Sequence, residues 1–267
     1  MLTRALSGVV FVSLLVFCML YHPISFLGLF YLFMVLGIYE FSKMLKIKSY
    51  WLYSIGTLLF LYSTPYLTNT TSILIISLAS IAILFLFLNA LFSKSNDVIH
   101  LLGTQFLCII YSILPFLFIA KIPFTTSSNL YEGELILGVF VLIWANDTFA
   151  YLIGRSLGKH KLLERVSPKK TMEGFFGGVL VTMIISYLIG KYVAIITPTQ
   201  WIILGAIVSV FGVLGDLIAS LFKRQTGVKD TGNIIPGHGG IIDRLDSVIF
   251  AAPFIFIYLK LILAYVS

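Results

Sequence analysis

With 267 residues, of which 59% are hydrophobic, 15% aromatic and only 11% charged, this chain cannot coat a water-facing surface, because soluble domains carry roughly 25% charged residues. The apolar residues come in long runs rather than amphipathic stripes, which leaves the bilayer as the solvent and excludes a soluble globular fold. Cys18 and Cys108 both fall inside such runs without metal-ligand spacing, so no disulfide framework is implied.

Crossing a hydrocarbon core of ~30 Å takes about 20 apolar residues per helix. Windows of this kind fall near 5–21, 25–42, 51–67, 72–92, 101–120, 135–153, 174–196, 201–222 and 246–266. The expected fold is therefore all-α, a polytopic bundle of about nine transmembrane helices. The first window, with Arg4 ahead of it, resembles a signal peptide; no small-x-small cleavage pattern follows, and it reads as a retained helix. The first five windows, within 1–134, contain a single acid, Glu40, whereas the polar residues crowd into 135–267, the expected catalytic half. Short connections such as Thr68 to Thr71 look inert. Two long ones, 154–173 and 223–245, are rich in Gly, Lys, Arg and acids, and loops of that length usually carry function.

Lys and Arg placement sets the orientation. If the N-terminus is cytoplasmic, the cytoplasmic segments hold Arg4; Lys43, Lys46 and Lys48; Lys94; Arg155, Lys159, Lys161, Arg165, Lys169 and Lys170; and Lys223, Arg224, Lys229 and Arg244. That is 15 of the 18 basic residues, with Ser267 outside. The bias accounts for the net charge of +7 without a nucleic-acid partner, and it brings basic loops to anionic lipid headgroups.

Buried acids mark the chemistry. Asp147, in Trp144-Ala-Asn-Asp-Thr-Phe149, and Asp216, in Gly212-Val-Leu-Gly-Asp-Leu217, each fall about six residues from the cytoplasmic end of their window, roughly 9 Å below the surface. Asp243 and Asp246, three apart, share one face of the last helix. A carboxylate inside the membrane costs at least ~2.5 kcal/mol unless paired or hydrated. One such acid could simply pair with Arg244 or Lys223. Four converging at one depth favour a cation site, and hard oxygen ligands without a thiolate or His cluster favour Mg²⁺ over zinc. Pro236-Gly-His-Gly-Gly240 leads into the last helix, where backbone N–H groups could cradle an anion; alone, the same pattern is an ordinary turn. Gly154-Arg-Ser-Leu-Gly158-Lys159 lacks Walker A spacing, which excludes a P-loop ATPase. The residues thus describe phosphoryl or nucleotidyl transfer to a lipid.

The run Ser220-Leu-Phe-Lys-Arg-Gln-Thr-Gly-Val-Lys-Asp230, followed by Pro236-Gly-His-Gly-Gly-Ile-Ile-Asp-Arg-Leu-Asp246, resembles the motif of the phosphatidate cytidylyltransferase (CDP-diacylglycerol synthase) family at every fixed position. Asn146-Asp-Thr-Phe-Ala-Tyr151 with Gly154, Arg155 and Gly158, and Ser167-Pro-Lys-Lys-Thr-Met-Glu-Gly174, are similar to its second polar region. The resemblance is close over about 140–250. It implies Asp216 and Asp243 as metal ligands with Asp246 beside them. Lys223, Arg224, Lys229 and Arg244 would hold the phosphates of CTP and phosphatidate, and Ser220, Asp230, His238, Gly239 and Gly240 would line the nucleotide site. Ser167, Lys169 and Lys170 would be lipid-phosphate or triphosphate contacts, and Asp147 would join the substrate-binding set. The family depends on Mg²⁺, and a monovalent cation such as K⁺ beside it is compatible.

The expected reaction is attack by a phosphatidate oxygen on the α-phosphorus of CTP, yielding CDP-diacylglycerol and pyrophosphate at the cytoplasmic face of the inner membrane. Its rivals are a CTP-dependent polyprenol or phytol kinase and a cation-coupled transporter. A transporter would place its polar residues at the midplane of two repeated halves, whereas here they crowd one end and one half. Gly174 with Gly178 could pack helices within one chain or between two, so a homodimer stays open.

Overall fold

The computed structural model describes residues 2–48, 50–67, 69–91, 97–125 and 130–266. Thr68, Lys94 and Ser267, used above for loops and orientation, lie outside them. The helices are α1 (Leu2–Tyr21), α2 (Pro23–Met44), α3 (Trp51–Ser63), α4 (Asn69–Leu91), α5 (Val98–Ser112), α6 (Leu114–Lys121), α7 (Gly133–Leu157), α8 (Met172–Tyr192), α9 (Pro198–Gln225) and α10 (Ile242–Val266). A 3₁₀ turn, Ile122–Phe124, follows α6. Pro115 interrupts the ladder between α5 and α6, because it has no N–H to donate. Together with the 3₁₀ turn they form one apolar unit, Val98–Phe124. Taking α5 and α6 as one unit leaves the nine expected among the described residues.

Five units, Pro23–Met44, Val98–Phe124, Gly133–Leu157, Met172–Tyr192 and Pro198–Gln225, are long and apolar enough to cross a bilayer, and Leu6–Tyr21, Trp51–Ser63 and Leu74–Leu88 are shorter apolar runs. The chain is a multi-pass membrane protein. Local signals start its helices. Thr197 and Gln200 form a reciprocal capping box ahead of Pro198 at the start of α9. Thr171 Oγ1 accepts from Gly174 N at 3.2 Å at the start of α8.

Two features depart from the expected boundaries. First, α7 and α9 continue past their apolar windows, to Leu157 and Gln225. Arg155, Lys223 and Arg224 therefore ride on final helical turns rather than in loops, where cations complement the helix dipole. Asp147 and Asp216 accordingly sit about 15 and 13.5 Å before their helix ends, at 1.5 Å per residue, rather than ~9 Å. Second, the 154–173 connection is not a plain loop. Lys161–Leu163 (β1) pairs antiparallel with Ser167–Thr171 (β2), Lys161 opposite Thr171 and Leu163 opposite Ser167. Val166 at the hairpin turn is buried with Val213 and Leu217 of α9, and Leu162, Phe175 and Leu221 pack around them. This small apolar contact holds β2 over α9.

Helices α7 to α10 pack in sequence, α7 on α8, α8 on α9 and α9 on α10, while α1 lies on α2 and α7 and α6 lies on α10. One apolar core runs from Leu15 to Leu259, through both halves of the chain. Phe41, Tyr111 and Phe222 pack together, Phe222 edge-on to the other two rings, and tie α2 and α5 to α9. The Gly174–Gly178 pair is used within the chain: a Cβ at Gly174 would lie 2.6 Å from Ala150 O, and one at Gly178 2.9 Å from Ala150 Cβ, both on α7. Because the neighbour at 174 is backbone, Gly174→Ala is expected to destabilise the protein by about 1–3 kcal/mol, read as a lower melting temperature in detergent. An unchanged melting temperature would refute this close approach of α7 and α8.

Candidate active site

A cavity of about 710 Å³ opens between α7, the hairpin, α9 and the start of α10. Asp147, Tyr151 and Arg155 of α7 line it, together with Lys161, Lys169 and Lys170 of the hairpin, Asp216 and Lys223 of α9, Asp230, and Asp243, Arg244 and Asp246 of α10. A second hollow of about 570 Å³ shares Asp230 and Arg244 with it; Lys229, His238 and Gly239 are among its other lining residues. Most of the residues chosen from sequence therefore meet in one place. Ser167, Arg224 and Gly240 line neither cavity, and Arg224 is exposed on the last turn of α9. Ser220 also stands back from the cavity, donating to Asp216 Oδ1 at 3.3 Å.

Two ion pairs hold lysines against acids here. Lys170 of β2 pairs with Asp216. Lys223 Nζ donates to Asp243 Oδ1 at 2.8 Å, with side-chain exposures of 12% and 3%. The other oxygen of Asp243, Oδ2, accepts from Thr231 N at 2.8 Å, Thr231 Oγ1 at 3.0 Å and Gly240 N at 3.0 Å. Oδ2 thus has two backbone donors and a share of the Thr231 hydroxyl, while Oδ1 has Lys223 as its donor. Asp147, Asp216 and Asp246 act on one another as like charges. Among the described residues, no basic side chain forms a salt bridge with Asp147 or Asp246.

The Pro236–Gly240 turn is ordered by its own bonds, Ile235 N to Gly239 O at 3.0 Å and His238 N to Ile235 O at 2.9 Å, with Gly237 and Gly239 at φ of 76° and 86°. From α1, Ser7 Oγ donates to Pro236 O at 2.9 Å and lies 2.9 Å from His238 Nδ1. The anion cradle expected at the α10 N-terminus is corrected by the structure. The N–H of Gly240 is used by Asp243, and those of Ile241 and Ile242 by Glu40. The first N–H groups of α10 are thus already occupied within the protein.

The family model for the cytidylyltransferase family matches residues 2–262. The chain belongs to the cytidylyltransferase family. Its similarity to the phosphatidate cytidylyltransferase of Bacillus subtilis (strain 168) is 34% identity over 264 residues, covering 97% of each chain. The phosphatidate cytidylyltransferase of Staphylococcus aureus (strain COL) is 50% identical over 131 residues, 48% of this chain and 50% of that one. That of Staphylococcus epidermidis (strain RP62A) is 48% identical over 130 residues, with the same coverage. Sequence reasoning did not single out as site residues several that this cytidylyltransferase uses here: Tyr151, Arg155 and Lys161 line the cavity directly, and outside it Thr231 bonds Asp243 and, in turn, Glu40.

Proposed function

We propose that this cytidylyltransferase joins the cytidylyl group of CTP to phosphatidate, giving CDP-diacylglycerol and pyrophosphate. The observation that carries the reading is the cavity wall itself. Lys161, Lys169 and Lys170 approach from the hairpin side, and Lys223 and Arg244 from the α9–α10 side, over a floor of carboxylates. The full-length similarity to the Bacillus subtilis enzyme supports it. The surplus of basic residues near this end of the bundle supports a cytoplasmic opening.

In the proposed step, a phosphatidate phosphate oxygen attacks the α-phosphorus of CTP. The bond from that phosphorus to the α–β bridging oxygen breaks, and pyrophosphate leaves with the electron pair. A phosphate monoester is already anionic at neutral pH, so no strong general base is required. Cations on two opposed walls can hold the β- and γ-phosphates on one side and the lipid phosphate on the other, which orders the reactants and steadies the charge forming on the leaving group. The ion pairs to Asp216 and Asp243 keep Lys170 and Lys223 extended into the cavity.

The donor set fits Mg²⁺. Asp216, Asp246 and the Oδ1 side of Asp243 would hold it, with Asp147 near, because these are hard oxygen ligands lining one cavity; Lys170 and Lys223, which pair with Asp216 and Asp243, would have to share those oxygens with the ion. Among the described residues, no three acidic, His or Cys groups are already gathered at ligand spacing, so water and substrate phosphates would have to complete the shell of the ion. When bound, it would supply Lewis-acid stabilisation of a phosphoryl oxygen.

A kinase using CTP would move the γ-phosphoryl group and release CDP. Purified protein given phosphatidate together with a polyprenol or phytol, and CTP labelled at the α- or the γ-phosphate, separates the two. The expected result is α-label in the lipid and γ-label in pyrophosphate. Label from the γ-position appearing in a polyprenol or phytol, with CDP released, would replace this function by the kinase reading.

A further inference from the structure

The first N–H groups of a helix have no intrahelical acceptor, and the helix dipole draws negative charge to them. At α10 that charge comes from a distant helix. Glu40 of α2 is 1% exposed. Its Oε1 accepts from Ile241 N at 2.9 Å, and its Oε2 accepts from Ile242 N at 3.0 Å and from Thr231 Oγ1 at 3.2 Å. Among the described residues, no basic side chain forms a salt bridge with it. The fit is close, since a Cβ at Gly232 or at Gly240 would run into the Glu40 carboxylate.

Thr231 links this carboxylate to the active site. Its hydroxyl lies between Glu40 Oε2 and Asp243 Oδ2, at 3.2 and 3.0 Å. It has one proton, so it donates to one of them at a time. Asp243 in turn holds Lys223. A buried anion on α2 is thus two hydrogen-bonded groups from a lysine on the cavity wall.

We infer that Glu40 is a positioning residue for the cytidylyltransferase site: by filling the N-terminus of α10 and sharing the Thr231 hydroxyl, it sets the orientation of Asp243 and, through it, of Lys223. This inference rests on the proposed CTP reaction, although the hold of Glu40 on the 230–243 segment does not. Glu40→Gln keeps the shape but turns an N–H₂ toward a backbone donor. Thr231→Val keeps the shape and removes only the shared hydroxyl, and Thr231→Ser keeps that hydroxyl.

The test measures kcat and KM for CTP and for phosphatidate in mixed micelles, with amide hydrogen exchange over 230–243. Glu40→Gln and Thr231→Val are each expected to lower kcat by about 10-fold and raise KM for CTP about 3-fold or more, with KM for phosphatidate within about 2-fold. Thr231→Ser should stay near wild type. The double variant should be no worse than the worse single one, because both break one chain of contacts. Exchange at 240–243 should quicken in Glu40→Gln. A folded Glu40→Gln with wild-type kinetics would overturn the inference. So would a loss of active fraction with both KM values unchanged, which marks a role in folding alone. If Glu40→Gln does not fold, Thr231→Val decides, and wild-type kinetics there are equally fatal. Should the wild-type protein make no CDP-lipid, the reaction assignment fails; the exchange arm still tests the contact, and unaltered exchange in Glu40→Gln sinks it.

Discussion

Asp246→Asn is expected to lower kcat by about 10²–10³-fold, the scale of losing one electrostatic contributor to a charged transition state, while leaving the protein at least as resistant to heat as its parent. The two effects have one cause. Asp246 is half-buried and lines the cavity without a salt bridge among the described residues; the like charges of Asp216 and Asp147 act on it, offset in part by Lys223 and by the Ser247 N–H, which donates to Oδ1 at 2.8 Å. A desolvated carboxylate between two like charges is costly to the fold, so a neutral side chain of the same shape relieves strain that function requires. Mg²⁺ should raise the melting temperature of the wild-type protein by binding only the folded state, and this rise should shrink in Asp246→Asn. Activity within a few-fold of wild type, or an undiminished Mg²⁺ shift, would remove Asp246 from the cation site.

What the sequence made legible follows from the kind of signal each feature leaves. Long apolar runs reveal helices, because a bilayer permits few alternatives, and the described helices fall on the windows. The same signal is blind to where a helix ends in water. Charge at Arg155 or Lys223 closes an apolar window, yet the backbone continues to Leu157 and Gln225. The hairpin was invisible for another reason: three- and five-residue strands, Lys161–Leu163 and Ser167–Thr171, are too short and too polar to show alternation. Charged residues spaced along 147–246 predicted a shared site because polar groups this rare in a membrane chain have few other places to go. Glu40 carried the same signal, as the single acid in five apolar windows. Its partners were hidden, because a carboxylate binding backbone N–H groups about 200 positions away leaves no pattern in side-chain spacing. The turn into α10 looks open to phosphate in the sequence for the same reason: nothing local shows that its N–H groups already have acceptors.

Lys223→Met is expected to cost roughly 3 kcal/mol of stability, the low end for breaking a buried ion pair, and to reduce kcat by about 10²-fold or more through loss of a cation at the phosphates. Asp243 is 3% exposed and would be left charged without its lysine. Thr231 and Gly240 still donate to its other oxygen, which is why the cost stays at the lower end. Asp243→Asn breaks the same pair from the other side. The stranded Lys223 is 12% exposed beside a cavity and can turn its ammonium into that space, so the stability loss should be about 1–2 kcal/mol. The double variant, Lys223→Met with Asp243→Asn, removes both charges together. Its stability loss should then fall short of the two single losses combined by at least about 1 kcal/mol, the mark of a direct contact in a double-mutant cycle. Activity should show no such recovery, because neutralising the pair restores the fold without returning a cation to the leaving phosphates. Thermal unfolding in detergent and single-turnover transfer of α-labelled CTP read the two arms separately. Stability losses that add to within about 0.5 kcal/mol would mean that Lys223 and Asp243 are not in contact. A double variant that regains turnover would mean that the pair serves the fold and not the reaction.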